Sequence, residues 1–169
     1  TVAQLAALTT TQVAGLSAAG VAGLTSDQVV ALSTAQVAAL TATELGGLTS
    51  GQAAALTASQ LAALSATQIT ALSTTAVAGL TATQMASLAA TQLASLTSSE
   101  IAALSPAAVA GLTTTALAAL TTTQFASLSA TGIAGLSATQ LASLTTAQVK
   151  LLTTTAMSGL TATQVGSLT

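Results

Sequence analysis

Histidine, cysteine, arginine, asparagine, tyrosine and tryptophan are all absent from the 169 residues, and Asp27, Glu44, Glu100 and Lys150 are the only ionisable side chains. Each absence closes a class of chemistry. Without cysteine there are neither disulfides nor thiolate metal sites, and with no imidazole and a single Asp the remaining metal ligands are too few. No metal and no cofactor is therefore expected. General acid–base work needs a histidine or carboxylates held together, but Glu44 and Glu100 stand 56 positions apart. Lys150 has no partner to activate it as a nucleophile. The glycines form no phosphate-cradling motif, so no catalytic, cofactor-binding or metal-binding residue is assigned, and the chain is expected not to be an enzyme.

Charge and long apolar runs are missing as well. A formal charge of −2 supplies no basic patch for nucleic acid or for an anionic membrane surface. Thr, Ser or Gln interrupts the apolar residues every few positions, so no run approaches the roughly 18 to 20 residues of a transmembrane helix. Disorder is excluded from the other side, because a chain 51% hydrophobic and 2% charged has a great deal of apolar surface to bury. No signal peptide opens the chain. It begins at Thr1 and ends at Thr169, two equivalent points of a repeat, which predicts a piece of a longer array.

What is present is one octapeptide written again and again over residues 1–169. Leucine occupies every eighth position from Leu8 to Leu168, and the fifth place is apolar throughout, as in Val13, Ile69, Met85 and Phe125, with Ala53 the one small residue there. The unit reads [Thr/Ser]-x-x-Gln-φ-Ala-[Ala/Gly/Ser]-Leu, as in Thr81 to Leu88. A strict short period marks a solenoid, whose units bury one another's apolar faces and are not stable singly.

Thr or Ser in the first place with Gln or Glu three residues later is a capping box. The hydroxyl accepts from the backbone N–H of the third helical residue, whose side chain reaches back to the N–H of the cap. Gly20, Ala76, Ala108, Ala116, Gly132 and Ala156 lack the returning half, and Ala89 lacks the hydroxyl. Pro106 falls at a first helical position, where its missing N–H costs nothing. Asp27, Glu44 and Glu100 fall in first turns, near the positive end of the helix dipole. One continuous helix is excluded, since eight residues advance about 80° beyond two full turns and the leucines would spiral around it.

The sequence therefore predicts an all-α solenoid of about twenty-one short capped helices, each helical segment about seven residues long. Fifth and eighth places meet on its buried face. The small sixth and seventh places are expected to let backbones approach, and Val30, Thr70, Lys150 and Leu151 to lie where that packing opens. Glycines repeating every 32 residues, at Gly15, Gly47, Gly79 and Gly111, suggest four octads per coil, or two coils of two. The alternative is a β-solenoid, as Thr, Val and Gly allow, although alternation along a strand would turn the invariant leucine outward.

Leu-Thr-x-x-Gln, as in Leu56 to Gln60 and Leu120 to Gln124, resembles the motif of a family of small periplasmic stress chaperones, of which only the cap chemistry carries over. Tandem octads covering the whole chain are similar to the low-complexity arrays of very large bacterial surface and secreted proteins. That resemblance implies an extracellular or cell-surface spacer, stalk or matrix fibre.

Two functions remain in view. The first is a structural, filament- or stalk-forming protein whose partner is itself, joined end to end, because the first and last octads are as apolar as the inner ones. The alternative is a Thr/Ser grid that binds ice, polysaccharide or another repetitive solid. Cap hydroxyls are already committed to backbone groups, but the second and third places are freer.

Overall fold

A computed structural model describes residues 1–168; Thr169, the expected start of a further octad, lies outside the described residues. Each octad folds into one short α-helix. Among the described residues there are twenty-one, from α1 (Val2–Ala6) to α21 (Ala162–Gly166), and no strand. The chain is an all-α solenoid, and the β-solenoid is excluded.

The octad's length follows from its two ends. In α11 (Ala82–Ser87) the cap Thr81 is extended at φ −91° and ψ 164°, and its Oγ1 accepts from the N–H of Gln84 at 3.3 Å while its own N–H donates to Gln84 Oε1 at 2.7 Å. At the other end Leu88 has already left the helix, at φ −65° and ψ 133°. An extended Leu followed by an extended cap makes the corner, leaving room for helices of four to six residues, shorter than the seven expected. Such helices are far below the length that is stable in isolation. They exist because both ends are satisfied and one face is covered.

The cap expectations hold in detail. Gly20, Ala76, Ala108, Ala116, Gly132 and Ala156 each donate an N–H to the cap hydroxyl with nothing returned. At Ala89 the reverse half remains, with the Ala89 N–H donating to Gln92 Oε1 at 2.8 Å. Pro106 is a first helical residue, and Lys150 falls in the last turn of α19 (Thr146–Leu151).

Fifth- and eighth-place side chains form one continuous core along the solenoid, from Leu5 through Met85 and Phe125 to Leu141, joined by the buried fourth-place Ala76, Ala108 and Ala156. Around it every helix packs on the one three places away, so α1 touches α4 (Ser26–Ala31), α4 touches α7 (Ser50–Ala55), and α7 touches α10 (Thr74–Ala78). Fourth-place glutamines, however, reach the octad four places earlier, as Gln60 reaches Val29 and Leu32. One turn of the coil thus takes between three and four octads. This corrects the reading of four per coil or two coils of two; the 32-residue glycine spacing is not the pitch.

The glycines have another cause. None among the described residues has a positive φ, so no left-handed turn needs them. A Cβ on Gly47 would lie 2.6 Å from the carbonyl oxygen of Ala18, and on Gly111 it would run into the Ala82 backbone. At the seventh place, then, backbones approach as expected. The sixth place instead points largely outward, which is why Val30, Thr70 and Lys150 are tolerated there and exposed. Leu151, in the seventh place, is half-buried against the core.

Candidate functional site

The repeated feature with the most specific geometry is the fourth-place glutamine. Its backbone sits in the first turn of a helix, its Oε1 accepts the cap N–H of that helix, and its Nε2 leaves the octad altogether. In Gln84 the Nε2 donates to the carbonyls of Ala53 at 2.7 Å and Leu56 at 2.6 Å, and in Gln60 to those of Val29 at 2.9 Å and Leu32 at 2.7 Å. These acceptors are the last carbonyls of a helix in the previous coil and of the corner behind it, where a short helix runs out of N–H partners; the fifth-place oxygen also accepts from its own octad's leucine, as Ala53 does from Leu56 at 3.3 Å. One side chain therefore closes the start of its own helix and the end of another.

The arrangement recurs wherever it can. Ten glutamines, at 36, 52, 60, 68, 84, 92, 124, 140, 148 and 164, donate to carbonyls 28 to 31 positions earlier. The three that do not, Gln4, Gln12 and Gln28, belong to the first coil, where no octad lies four places before them. Nine of the ten bonded glutamines are buried, Gln68 being the half-exposed one, whereas Gln4 and Gln12 are exposed and Gln28 half-exposed. Burial of an amide is tolerable only when its hydrogen bonds are made, and here donor and acceptor needs are met together.

Sequence reasoning recognised the capping half of this role and missed the bridging half. The signal available was chemical: a cap needs only an acceptor, which Glu supplies as well, yet thirteen octads carry Gln and two carry Glu. Glu44 and Glu100 hold their caps, accepting from the N–H of Thr41 and Thr97 at 2.6 Å each. Both are buried, and neither has an N–H to donate across the coil. Oε1 of Glu44 is the one fully buried side-chain atom without a hydrogen-bond partner among the described residues.

Hollows follow the same logic. Beside Ala116, where the amide is missing, a hollow of about 210 Å³ lies against Leu88 and Ala90. Another of about 300 Å³ lies at the last coil beside Leu141, Ala142 and Leu144, the place to which the glutamine of a twenty-second octad would reach. The two ends of the solenoid are unlike one another. The first coil shows Gln4, Gln12 and half-buried Leu8, Leu16 and Leu24, while the last shows fifth-place side chains, with Met157 37% and Val165 46% exposed.

The other singled-out side chains gather into no site. Asp27 and Lys150 are both exposed, on octads far apart along the coil. The third place of every octad is exposed, and twelve of these residues are Thr. Among the described residues no helix is long and apolar enough to cross a membrane.

The ALTTAQ repeat family matches two stretches of the chain, residues 2–34 and 93–130. Within them, Ala7 to Gln12 and Ala119 to Gln124 both read Ala-Leu-Thr-Thr-Thr-Gln, a string that runs from the tail of one octad across the corner to the next bridging amide. This is a tandem repeat protein. No curated protein matches the chain.

Proposed function

We propose that this chain is a structural protein and not an enzyme: a coil segment of an extracellular filament, stalk or matrix that self-associates end to end. The observation that carries this reading is the interior of the coil: each octad packs its fifth- and eighth-place side chains into one continuous core and bridges to an earlier coil through its fourth-place glutamine, by contacts that any further octad can repeat, so the array extends without any new kind of contact. A net charge of −2 offers little repulsion against association and nothing to attract nucleic acid. The extracellular or cell-surface placement rests on the resemblance of tandem octads to the arrays of large bacterial surface and secreted proteins.

The competing reading, a Thr/Ser grid for ice or another repetitive solid, draws on the exposed third-place threonines. Against it stands the commitment of the cap hydroxyls, which already accept backbone N–H groups, as Thr81 does from Gln84, so that only the second and third places are free. Electron microscopy and sedimentation of the purified chain over a range of concentrations test the choice. Elongated assemblies that grow with concentration are expected; uniform monomers at high concentration would overturn the filament reading and bring the binding surface forward.

A further inference from the structure

The geometry points to a binding site for a primary carboxamide where the corner between α11 and α12 (Ala90–Ser95) meets the first turn of α15 (Thr114–Ala119). The site is built inside the array and is separate from end-to-end association.

The next octad along shows what this place lacks. Gln124 Oε1 accepts from the Thr121 N–H at 3.1 Å, and its Nε2 donates to the carbonyls of Leu93 and Ala94 at 3.2 Å and of Leu96 at 2.9 Å. Eight residues earlier, Ala116 stands in place of the glutamine. The matching groups are the Thr113 N–H on one side and the carbonyls of Met85, Ala86 and Leu88 on the other. Thr113 spends its hydroxyl on the Ala116 N–H at 3.0 Å, but its own N–H has no partner among the described residues, and neither has the Leu88 carbonyl. The Met85 carbonyl keeps only the Leu88 N–H, at 3.4 Å. A donor and a cluster of acceptors are thus left on two sides of a hollow of about 210 Å³, lined by Leu88, Ala90, Thr113, Thr115, Ala116 and Ala119.

A missing amide does not by itself open a site. Ala76, Ala108 and Gly132 are buried where they replace the glutamine, and at Ala156 the coil closes to a hollow of about 10 Å³. Ala116 is half-buried, and two further departures from the pattern meet it. Leu88 is half-buried where Leu80 and Leu96 are buried, and Ala89 carries no cap hydroxyl to serve the free carbonyls. A primary carboxamide meets all of these needs at once, since its oxygen accepts from Thr113 while its two N–H bonds reach separate carbonyls. A carboxylate lacks the donor, as the unpartnered Oε1 of Glu44 shows, and an ammonium lacks the acceptor. The space beyond the amide suits a short apolar stem against Leu88, Ala90 and Ala119. Such a group comes from a free small amide or from the glutamine or asparagine side chain of a protein partner.

Propionamide is the probe. Titrated into the monomeric chain and followed by heteronuclear magnetic resonance, it should shift the Thr113 N–H and the amides of 86–90 to saturation at about millimolar concentration. The Thr81 N–H, whose partner Gln84 is in place, should not move. N,N-Dimethylpropionamide, which has no N–H, should bind about tenfold more weakly or worse, the worth of one or more hydrogen bonds. Ala116→Gln fills the site with its own amide and should weaken propionamide at least as much. No saturable shift at Thr113, equal binding of the dimethyl amide, or an undiminished response in Ala116→Gln each overturns the site; the dimethyl comparison holds even if the variant misfolds. A capped Ala-Gln-Ala peptide with an N-methylamide end separates the sources. Binding about tenfold tighter than propionamide assigns the site to a protein side chain, and weaker binding assigns it to free amides; the carboxamide site stands in both cases.

Discussion

At the scale of the residue, the amide is worth more than its position in a capping box suggests. Gln84 is only 2% exposed and bonds at both ends of its side chain, so Gln84→Leu takes their partner from the Thr81 N–H and the Leu56 carbonyl and leaves the Ala53 carbonyl with the Leu56 N–H alone. A loss of about 2 to 4 kcal/mol is expected by urea denaturation, at about 1 to 3 kcal/mol for each buried group left unsatisfied. Glu44→Gln runs the other way. It gives the unpartnered buried oxygen's place to an N–H donor and should stabilise the chain by about 1 kcal/mol. Glycine offers a second contrast. Gly51, inside α7, has nothing within 4 Å of an added Cβ, so Gly51→Ala should gain about 0.4 to 1 kcal/mol from reduced freedom of the unfolded chain. Gly111 has an ordinary helical φ of −75°, yet its Cβ would collide with the Ala82 backbone. Gly111→Ala should therefore cost about 1 to 3 kcal/mol as an overpacked contact, and thermal melts that rank the two substitutions alike would contradict the close approach.

At the scale of the element, the phase of the helices was legible because several local rules agree on it. The cap hydroxyls, Pro106, the first-turn acids and the leucine period all locate the same start, and local chemistry is what a sequence displays most directly. The number of octads per turn was not legible. It depends on how a corner of two extended residues re-aims the next helix, and that angle leaves no mark in the eight-letter pattern; the 32-residue glycine spacing pointed to four. The bridging amides were hidden for a related reason, since their acceptors are backbone carbonyls, which every residue has. Where the pattern lapses, the element should weaken. The segment 90–95 lacks a cap hydroxyl, and the last carbonyls of 82–87 look onto Ala116 across a hollow, so amides of both should exchange faster than those of 58–62, where cap and bridge are made. Ala116→Gln would complete the capping box of Thr113 and place a donor against those carbonyls. A gain of about 1 to 2 kcal/mol is expected, with exchange in 82–87 slowed toward that of 58–62 and exchange in 90–95 left fast.

At the scale of the whole molecule, the coil is held by place number and not by particular partners. Its cross-coil bonds run from one residue type, Gln, to backbone carbonyls that any octad presents, and its core combines an eighth place that is always Leu with a fifth place interchangeable among Val, Leu, Ile, Met and Phe. An array of this kind is quasi-one-dimensional: each unit senses only its near neighbours along the coil. Insertions at a single point can test this. Placing a second copy of residues 37–44 directly after Glu44 adds eight residues inside α6 (Ala42–Gly46), yet every residue on either side keeps its place in an octad. Gln52, Gln60 and Gln68 exchange their present acceptors for those one octad later, which have the same geometry. Helicity should rise in proportion to length, and the melting temperature should stay within a few degrees. A single Ala inserted at the same point turns everything after it by about 100° relative to the cap. Either Leu45 and Leu48, now 0% and 4% exposed, leave the core, or Thr41 and Glu44 lose their box. Loss of a buried leucine's packing costs about 2 to 5 kcal/mol, so one residue should do much more harm than eight. Comparable damage from the two insertions would mean that specific octads recognise one another, and that the coil is not held by place number.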